Sequence, residues 1–352
     1  MPENKFQIAS SPQFHSGMST SMVMGHVSLA LVPASLWGVY VFGWRALVVL
    51  LVSIAASVLS EYVLCRVSSQ ENSIADGSAL LTGLLIGMNM PPAVPLFIPI
   101  IASFFAIFVV KWTFGGLGAN WMNPALAGRV FVFMSWTGGM TTWTLPGRLG
   151  NSGTMDAVTG PTPLGSLKTG LMNGVDGVSG PLQLLAGEGV PVTYKDLFIG
   201  NIPGCIGEVS AVLLLAGALY LIVRKIITWH IPVVYALSFS VLVWIFGGNR
   251  YGSGFFSGDV LFHLLSGGFM LGALFMATDM ATSPVTKKGK VIYAIGCGFM
   301  TFLIRFYGSF PEGVSLAIIF MNIFVPLIDR MVKPVTFGVA KVKKAKSKEA
   351  AQ

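Results

Sequence analysis

The sequence predicts an all-α integral membrane protein. About ten transmembrane helices fall into two inverted five-helix repeats with short or broken helices, and a Gly/Pro-rich extracytoplasmic loop separates the repeats. Three observations carry this expectation. First, the 352-residue chain is 54% hydrophobic and only 10% charged, with a mean hydropathy of +0.75. An ordinary soluble domain is about a quarter charged. So few charges do not wet a globule of this size, which excludes a soluble enzyme. The apolar content equally excludes a disordered or fibrous chain. Second, apolar segments of bilayer-spanning length recur along the chain. Third, one long polar stretch rich in glycine and proline interrupts them.

Residues 1–20 are polar and form a cytoplasmic N-terminal segment without the apolar core of a secretory signal. The first repeat, 21–137, contains spans at 21–41, 44–64, 77–91, 95–113 and 123–137. The third and fifth are short and are punctuated by Asn89-Met90-Pro91-Pro92 and Asn120-Trp121-Met122-Asn123-Pro124. Short, broken spans are where a membrane protein turns backbone groups toward a site. Residues 137–206 hold 15 Gly and 6 Pro but only three basic and four acidic residues. They place an extracytoplasmic loop at 138–206, either a linker or a compact functional cap. The second repeat, 207–331, contains spans at 207–224, 230–247, 262–280, 290–307 and 314–331, followed by a basic cytoplasmic tail at 332–352. Leu80-Leu81-Thr82-Gly83 in span three resembles Leu264-Leu265-Ser266-Gly267 in span eight. Five spans per half is an odd number, so the two halves are inverted.

The net charge of +8 reports topology, not nucleic-acid binding. Its lysines cluster in the tail (Lys341 to Lys348) and at Lys287, Lys288 and Lys290, without interleaved aromatics. With both termini inside, sixteen of the 22 Lys and Arg fall on the inner side and six on the outer, the bias of a multi-pass protein of a prokaryotic cytoplasmic membrane. Cys65, Cys205 and Cys297 are too far apart for a CxxC site and read as buried apolar residues.

The loop carries the segment Asp156-Ala157-Val158-Thr159-Gly160-Pro161-Thr162-Pro163-Leu164. Read alone, it is a turn whose Thr162 hydroxyl is flanked by two prolines that restrict the backbone. Gly115-Gly116-Leu117-Gly118 precedes Asn120 and Asn123. No strand pattern leads into this glycine run, so a phosphate loop is disfavoured. A tightly packed turn and a flavin site whose two amides meet a ring edge both remain open. Ionisable residues inside spans are costly, and Glu61, Arg129, Glu208, His263, Asp279, Arg305 and Asp329 are the ones to place. Glu208, Arg305 and Asp329 lie near span ends, where snorkelling is the ordinary explanation. Asp279 ends the eighth span, where a helix C-terminus disfavours a carboxylate. It is a possible ion or flavin contact, or a partner of Lys287 or Lys288.

These motifs together resemble the RnfD/NqrB family. Its members are the RnfD component of the Rnf complex, a membrane-bound ferredoxin:NAD+ oxidoreductase, and the related NqrB component of the sodium-translocating NADH:quinone oxidoreductase, Nqr. The family's flavinylation motif, approximately Asp-Gly-x-(Ser/Thr)-Gly-Ala-Thr, is matched at Asp156, Thr159, Gly160 and Thr162, with departures at Ala157 and Pro161. The N-terminal Phe6-Gln7-Ile8-Ala9-Ser10-Ser11-Pro12 and Asp76-Gly77-Ser78-Ala79 belong to the same resemblance, as do Gly115 to Ala125 and Trp229-His230-Ile231-Pro232. His263-Leu264-Leu265-Ser266-Gly267 and Phe310-Pro311-Glu312-Gly313-Val314 complete it, over residues 6–335. The resemblance implies a flavoprotein carrying FMN joined through its phosphate to Thr162, attached by an FAD:protein FMN transferase. It also implies a second, non-covalent riboflavin at Asn120 and Asn123. Implied partners are the other Rnf subunits, the lipid bilayer, and Na+ or H+ as the translocated ion. The chain then serves as a redox component of an ion-translocating oxidoreductase and is not catalytic alone. A flavin-free secondary transporter or channel with inverted repeats is the alternative, because the same architecture serves both.

Overall fold

In the computed structural model, residues 17–68, 73–146, 160–172, 180–187, 192–208, 210–251 and 253–333 are described. All regular structure among them is helical. The expected position of Asp156 and Thr159 lies outside the described residues.

Ser19 starts α1 (Thr20–Phe42) by accepting from Met22 N at 3.2 Å. Gly43, with φ of +81°, turns the chain directly into α2 (Trp44–Val67). Helix α3 (Ser78–Met88) stops at the Asn89 to Pro92 break, because prolines cannot continue a helix. Helix α4 (Phe97–Phe105) runs on as a π-helical segment, Ala106–Trp112. Asn123 then starts α5 (Pro124–Ser135): its side chain accepts from Ala125 N at 3.0 Å and Leu126 N at 3.3 Å, with proline at the first helical position. A single turn, α6 (Thr137–Met140), follows.

The glycine-rich stretch contains helical structure. Helices α7 (Pro163–Met172), α8 (Pro181–Gly187) and α9 (Tyr194–Ile199) bury Leu164, Leu167, Leu184, Leu185 and Leu197 in a small core of their own. That core includes Phe262 and Leu265 of the second half, so this part of the loop is a cap on the bundle, not a linker. The Tyr194 hydroxyl donates to Asp259 at 2.5 Å, and burial with this bond pushes the phenol up to about 12.

The second half comprises α10 (Ala211–Val223), α11 (His230–Phe246), α12 (Val260–Leu265), α13 (Phe269–Leu271, continuing as the π-helical Gly272–Met276), α14 (Lys287–Tyr307) and α15 (Val314–Met331). Its pairings repeat those of the first half. α2 packs on α3 and α4, as α11 packs on α12 and α14, and α4 meets α5 as α14 meets α15. The two first members, α1 and α10, pack together, and so do the two fifth members, α5 and α15. The Leu-Leu-Thr-Gly and Leu-Leu-Ser-Gly segments lie in the third member of each half, as expected. They differ in use. Gly83 presses α3 onto α2, where a Cβ would stand 2.6 Å from Ile54 Cα. Gly267 and Gly268, with φ of +66° and +65°, end α12 outright.

Five helices are long and apolar enough to cross a membrane: Thr20–Phe42, Trp44–Val67, His230–Tyr251, Lys287–Tyr307 and Val314–Met331. Shorter apolar helices occupy Ser78–Met88, Phe97–Trp112, Pro124–Ser135 and Ala211–Val223. The chain is thus a multi-pass helical membrane protein. Besides the third and fifth spans, the fourth, sixth and eighth expected spans are also short or broken.

Three cations that the sequence tally assigns to one side of the membrane or the other are buried. Lys111 donates to Glu61 and to Ser78 Oγ, both at 2.6 Å. Arg129 pairs with Glu312, and Arg305 is 5% exposed among backbone carbonyls. The Lys111–Glu61 pair gives a first prediction. Lys111→Met leaves Glu61, 0% exposed, without a counter-charge. Breaking such a pair costs about 3–5 kcal/mol, whereas replacing both partners with apolar residues is often neutral. The purified Lys111→Met chain should melt well below the parent, and the Glu61→Leu, Lys111→Met double variant should recover most of the loss. A double variant as unstable as the single one contradicts this account.

Candidate functional site

Asn120, Asn123 and Asp279 converge on one cavity of about 560 Å³, which also takes in Ser78, Lys111 and Thr278. The turn that brings Asn120 there runs from α4 to α5 through Gly115, Gly116 and Gly118, all with positive φ. Asn120 is 5% exposed and Asn123 4%. Asn120 Nδ2 donates to Met122 O at 3.0 Å, and Asn123, whose Oδ1 caps α5, donates from Nδ2 to Met276 O at 3.2 Å. The second bond joins the start of α5 to the end of the π segment after α13, so Asn123 ties the two halves together. Asp279 accepts from Ala281 N at 3.3 Å and Thr282 Oγ1 at 3.1 Å. The ion pairs among the described residues do not include it, so the expected pairing with Lys287 or Lys288 is not formed. Its carboxylate is held by a local turn beside the cavity.

Thr162 lies at the other end of α5. It is 6% exposed. Its Oγ accepts from Gly165 N at 3.1 Å at the start of α7, and its carbonyl accepts from Ser166 N at 2.9 Å. Gly160 is anchored beside it, donating to Trp143 O at 3.0 Å. Thr162 borders a cavity of about 220 Å³ with Trp143, Phe133, Phe310, Arg129 and Glu312. A Cβ at Gly165 would lie 3.2 Å from Thr162 Oγ, so glycine there keeps room around the hydroxyl. α5 joins the two sites: Ala125 borders the first and Arg129 the second, separated by about 6 Å of helix rise.

Behind Thr162 is a polar cluster that sequence reasoning did not assemble. Arg129 pairs with Glu312, lies 3.6 Å from Glu208 Oε1, donates to Cys205 Sγ at 3.6 Å and to Ser315 Oγ at 2.6 Å. Cys205 in turn donates to Asn89 O at 3.2 Å, at the broken end of α3. It therefore packs in a polar setting, although it is fully buried as expected. Cys205, Glu208 and Glu312 place their ligand atoms within 4.8 Å of one another. The guanidinium of Arg129 supplies positive charge beside the two carboxylates. Arg305 serves the second break, donating to His263 O at 2.5 Å and to Ser266 O and Gly267 O at 3.3 Å. Cys205 and Arg305 thus each satisfy backbone carbonyls freed at a helix break, as a low-dielectric setting demands.

A helical bundle whose two halves pair their helices alike, with a cavity at each end of one short helix, defines a class of multi-pass membrane proteins. The chain belongs to the NQR2, RnfD, RnfE family, whose pattern it matches over residues 7–338. It is 46% identical over 336 residues to the D subunit of the proton-translocating ferredoxin:NAD(+) oxidoreductase complex of Clostridium ljungdahlii, covering 96% of this chain and 97% of that one. It is 42% identical to the D subunit of the Na(+)-translocating ferredoxin:NAD(+) oxidoreductase complex of Acetobacterium woodii, covering 98% and 99%. It is 39% identical to the D subunit of the ion-translocating oxidoreductase complex of Stutzerimonas stutzeri, covering 91% and 92%.

Proposed function

We propose that this chain is the membrane-embedded flavoprotein of RnfD type in an Rnf complex, which couples electron transfer between ferredoxin and NAD+ to Na+ or H+ translocation. The observation that carries the reading is the pair of cavities at the two ends of α5, one bordered by Thr162 and the other by Asn120, Asn123 and Asp279. Two similar relatives are named for different ions, protons and Na+, so the ion is left as either. A bound flavin supplies reversible uptake and release of electrons, which the side chains here do not.

Thr162 is the acceptor for FMN. Its Oγ attacks the FMN phosphorus of FAD, the bond to AMP breaks, and the hydroxyl proton leaves with a base of the FAD:protein FMN transferase. The residues fit the product. A phosphodiester at this oxygen carries one negative charge at the N-terminus of α7, where backbone N–H groups favour it, and Arg129 borders the same cavity. Because Thr162 is buried, modification precedes the closing of α7 onto the bundle. Asp156, Thr159 and Gly160 form the sequence the transferase reads. The larger cavity fits riboflavin: Asn120 and Asn123 orient the ring edge, Lys111 keeps one N–H beyond its bonds to Glu61 and Ser78, and the walls are largely apolar. Asp279 faces this cavity as an ion or flavin contact.

Ten membrane passes in two inverted repeats, both termini cytoplasmic and α7–α9 outside complete the reading, in a prokaryotic cytoplasmic membrane and among other Rnf subunits. The exposed Lys195 and the tail residue Lys346 test it. Cysteines placed at these positions should react with a membrane-impermeant maleimide from opposite sides, since the three native cysteines are buried. Labelling of both from one side contradicts the topology. For the cofactor, the purified chain in a denaturing gel should fluoresce under ultraviolet light, and a dark band contradicts covalent flavin.

A further inference from the structure

A third cavity, of about 90 Å³, lies at the α7–α9 end of the bundle and plays no part in the reading above. Three cations border it: Lys168 of α7, Arg250 after α11, and Arg305 of α14. No carboxylate lines it among the described residues. Asp259, which starts α12 nearby, is engaged by Phe262 N at 3.0 Å and the Tyr194 hydroxyl at 2.5 Å. Two side chains on the cavity have buried polar atoms without partners: both ring nitrogens of His263, which is 2% exposed, and the hydroxyl of the half-buried Tyr251.

The cations are not equally committed. Arg305 is saturated by the carbonyls at the end of α12. Lys168 donates to Gly308 O, leaving two of its N–H groups. Arg250 stacks over the Tyr307 ring at 5.1 Å, which leaves the edge of its guanidinium available. Burial, and secondarily the neighbouring Arg250, lower the Lys168 pKa. Buried donors without acceptors are costly, and adjacent cations without a counter-charge compound the cost.

We propose that this pocket binds a phosphate-type oxyanion between Lys168 and Arg250, completed by a ring N–H of His263 and the hydroxyl of Tyr251. A tetrahedral acceptor suits donors arriving from α7, α12 and the end of α11, and a guanidinium meets two phosphate oxygens at once. The space admits one such group and not a nucleotide. Its occupant is either the phosphodiester headgroup of a bilayer phospholipid or free inorganic phosphate, which share this chemistry.

The test uses the full-length chain in detergent, as parent, Arg250→Gln and His263→Gln. Arg250 is exposed, so Arg250→Gln folds irrespective of the buried His263 position. Calorimetric titration with inorganic phosphate in a chloride buffer reads one source. Native mass spectrometry of retained phospholipid reads the other. Saturable phosphate binding, weakened about tenfold or more in Arg250→Gln, identifies free phosphate. Phospholipid retained by the parent and lost from Arg250→Gln, without phosphate binding, identifies a headgroup. In either case His263→Gln, if folded, weakens binding as well. Absence of both signals in the parent, or signals unchanged in Arg250→Gln, overturns the proposal.

Discussion

Thr162→Ala is expected to abolish covalently held flavin while the chain remains inserted and folded. The structural cost of the change is small. The hydroxyl serves α7 through one bond, to Gly165 N at 3.1 Å, and losing such a cap costs about 1 kcal/mol. A loss of that size does not unfold a bundle whose core draws on both halves. In-gel fluorescence should therefore disappear with little change in melting temperature. Thr162→Ser keeps a hydroxyl in place and should retain some modification. Persisting fluorescence in Thr162→Ala, with flavin on Thr159 or elsewhere, places the acceptor wrongly.

The second large effect is expected at the opposite end of α5. Asn120→Leu removes one amide from the large cavity and breaks only the bond to Met122 O. Flavin released by acid from the purified chain should fall several-fold, while the fluorescence of Thr162-bound FMN stays unchanged. Asn123→Leu should lose the same flavin with an added stability cost, because Asn123 also starts α5 and donates to Met276 O. The contrast separates binding from support. If Asn120→Leu retains all extractable flavin, the two asparagines serve the turn alone.

Much of this is legible in the sequence because the relevant signals are local. Spans declare themselves by apolar length, and Asn-Pro at 123–124 is both a break and a helix start. The Gly115 to Gly118 turn that carries Asn120 to the cavity is visible as composition. The burial of Thr162 is not legible. Gly/Pro content marks turns, but the short helices α7 to α9 close over the bundle only because their scattered leucines meet Phe262 and Leu265, nearly a hundred residues later. Buried charges are hidden for the same reason. Lys111 reads as a surface cation until Glu61, 50 positions earlier, is brought to 2.6 Å. Arg129 and Glu312 are 183 positions apart. Glu312 stands out only inside the motif Phe310-Pro311-Glu312-Gly313-Val314, and no feature of a single sequence pairs it with Arg129.

The central claim is that one chain holds two flavins in chemically different ways. Acid precipitation of the purified parent chain, followed by flavin analysis of pellet and supernatant, tests this most directly. The expected result is FMN in the pellet, on the peptide containing Thr162, and riboflavin in the supernatant. A pellet without flavin contradicts the claim.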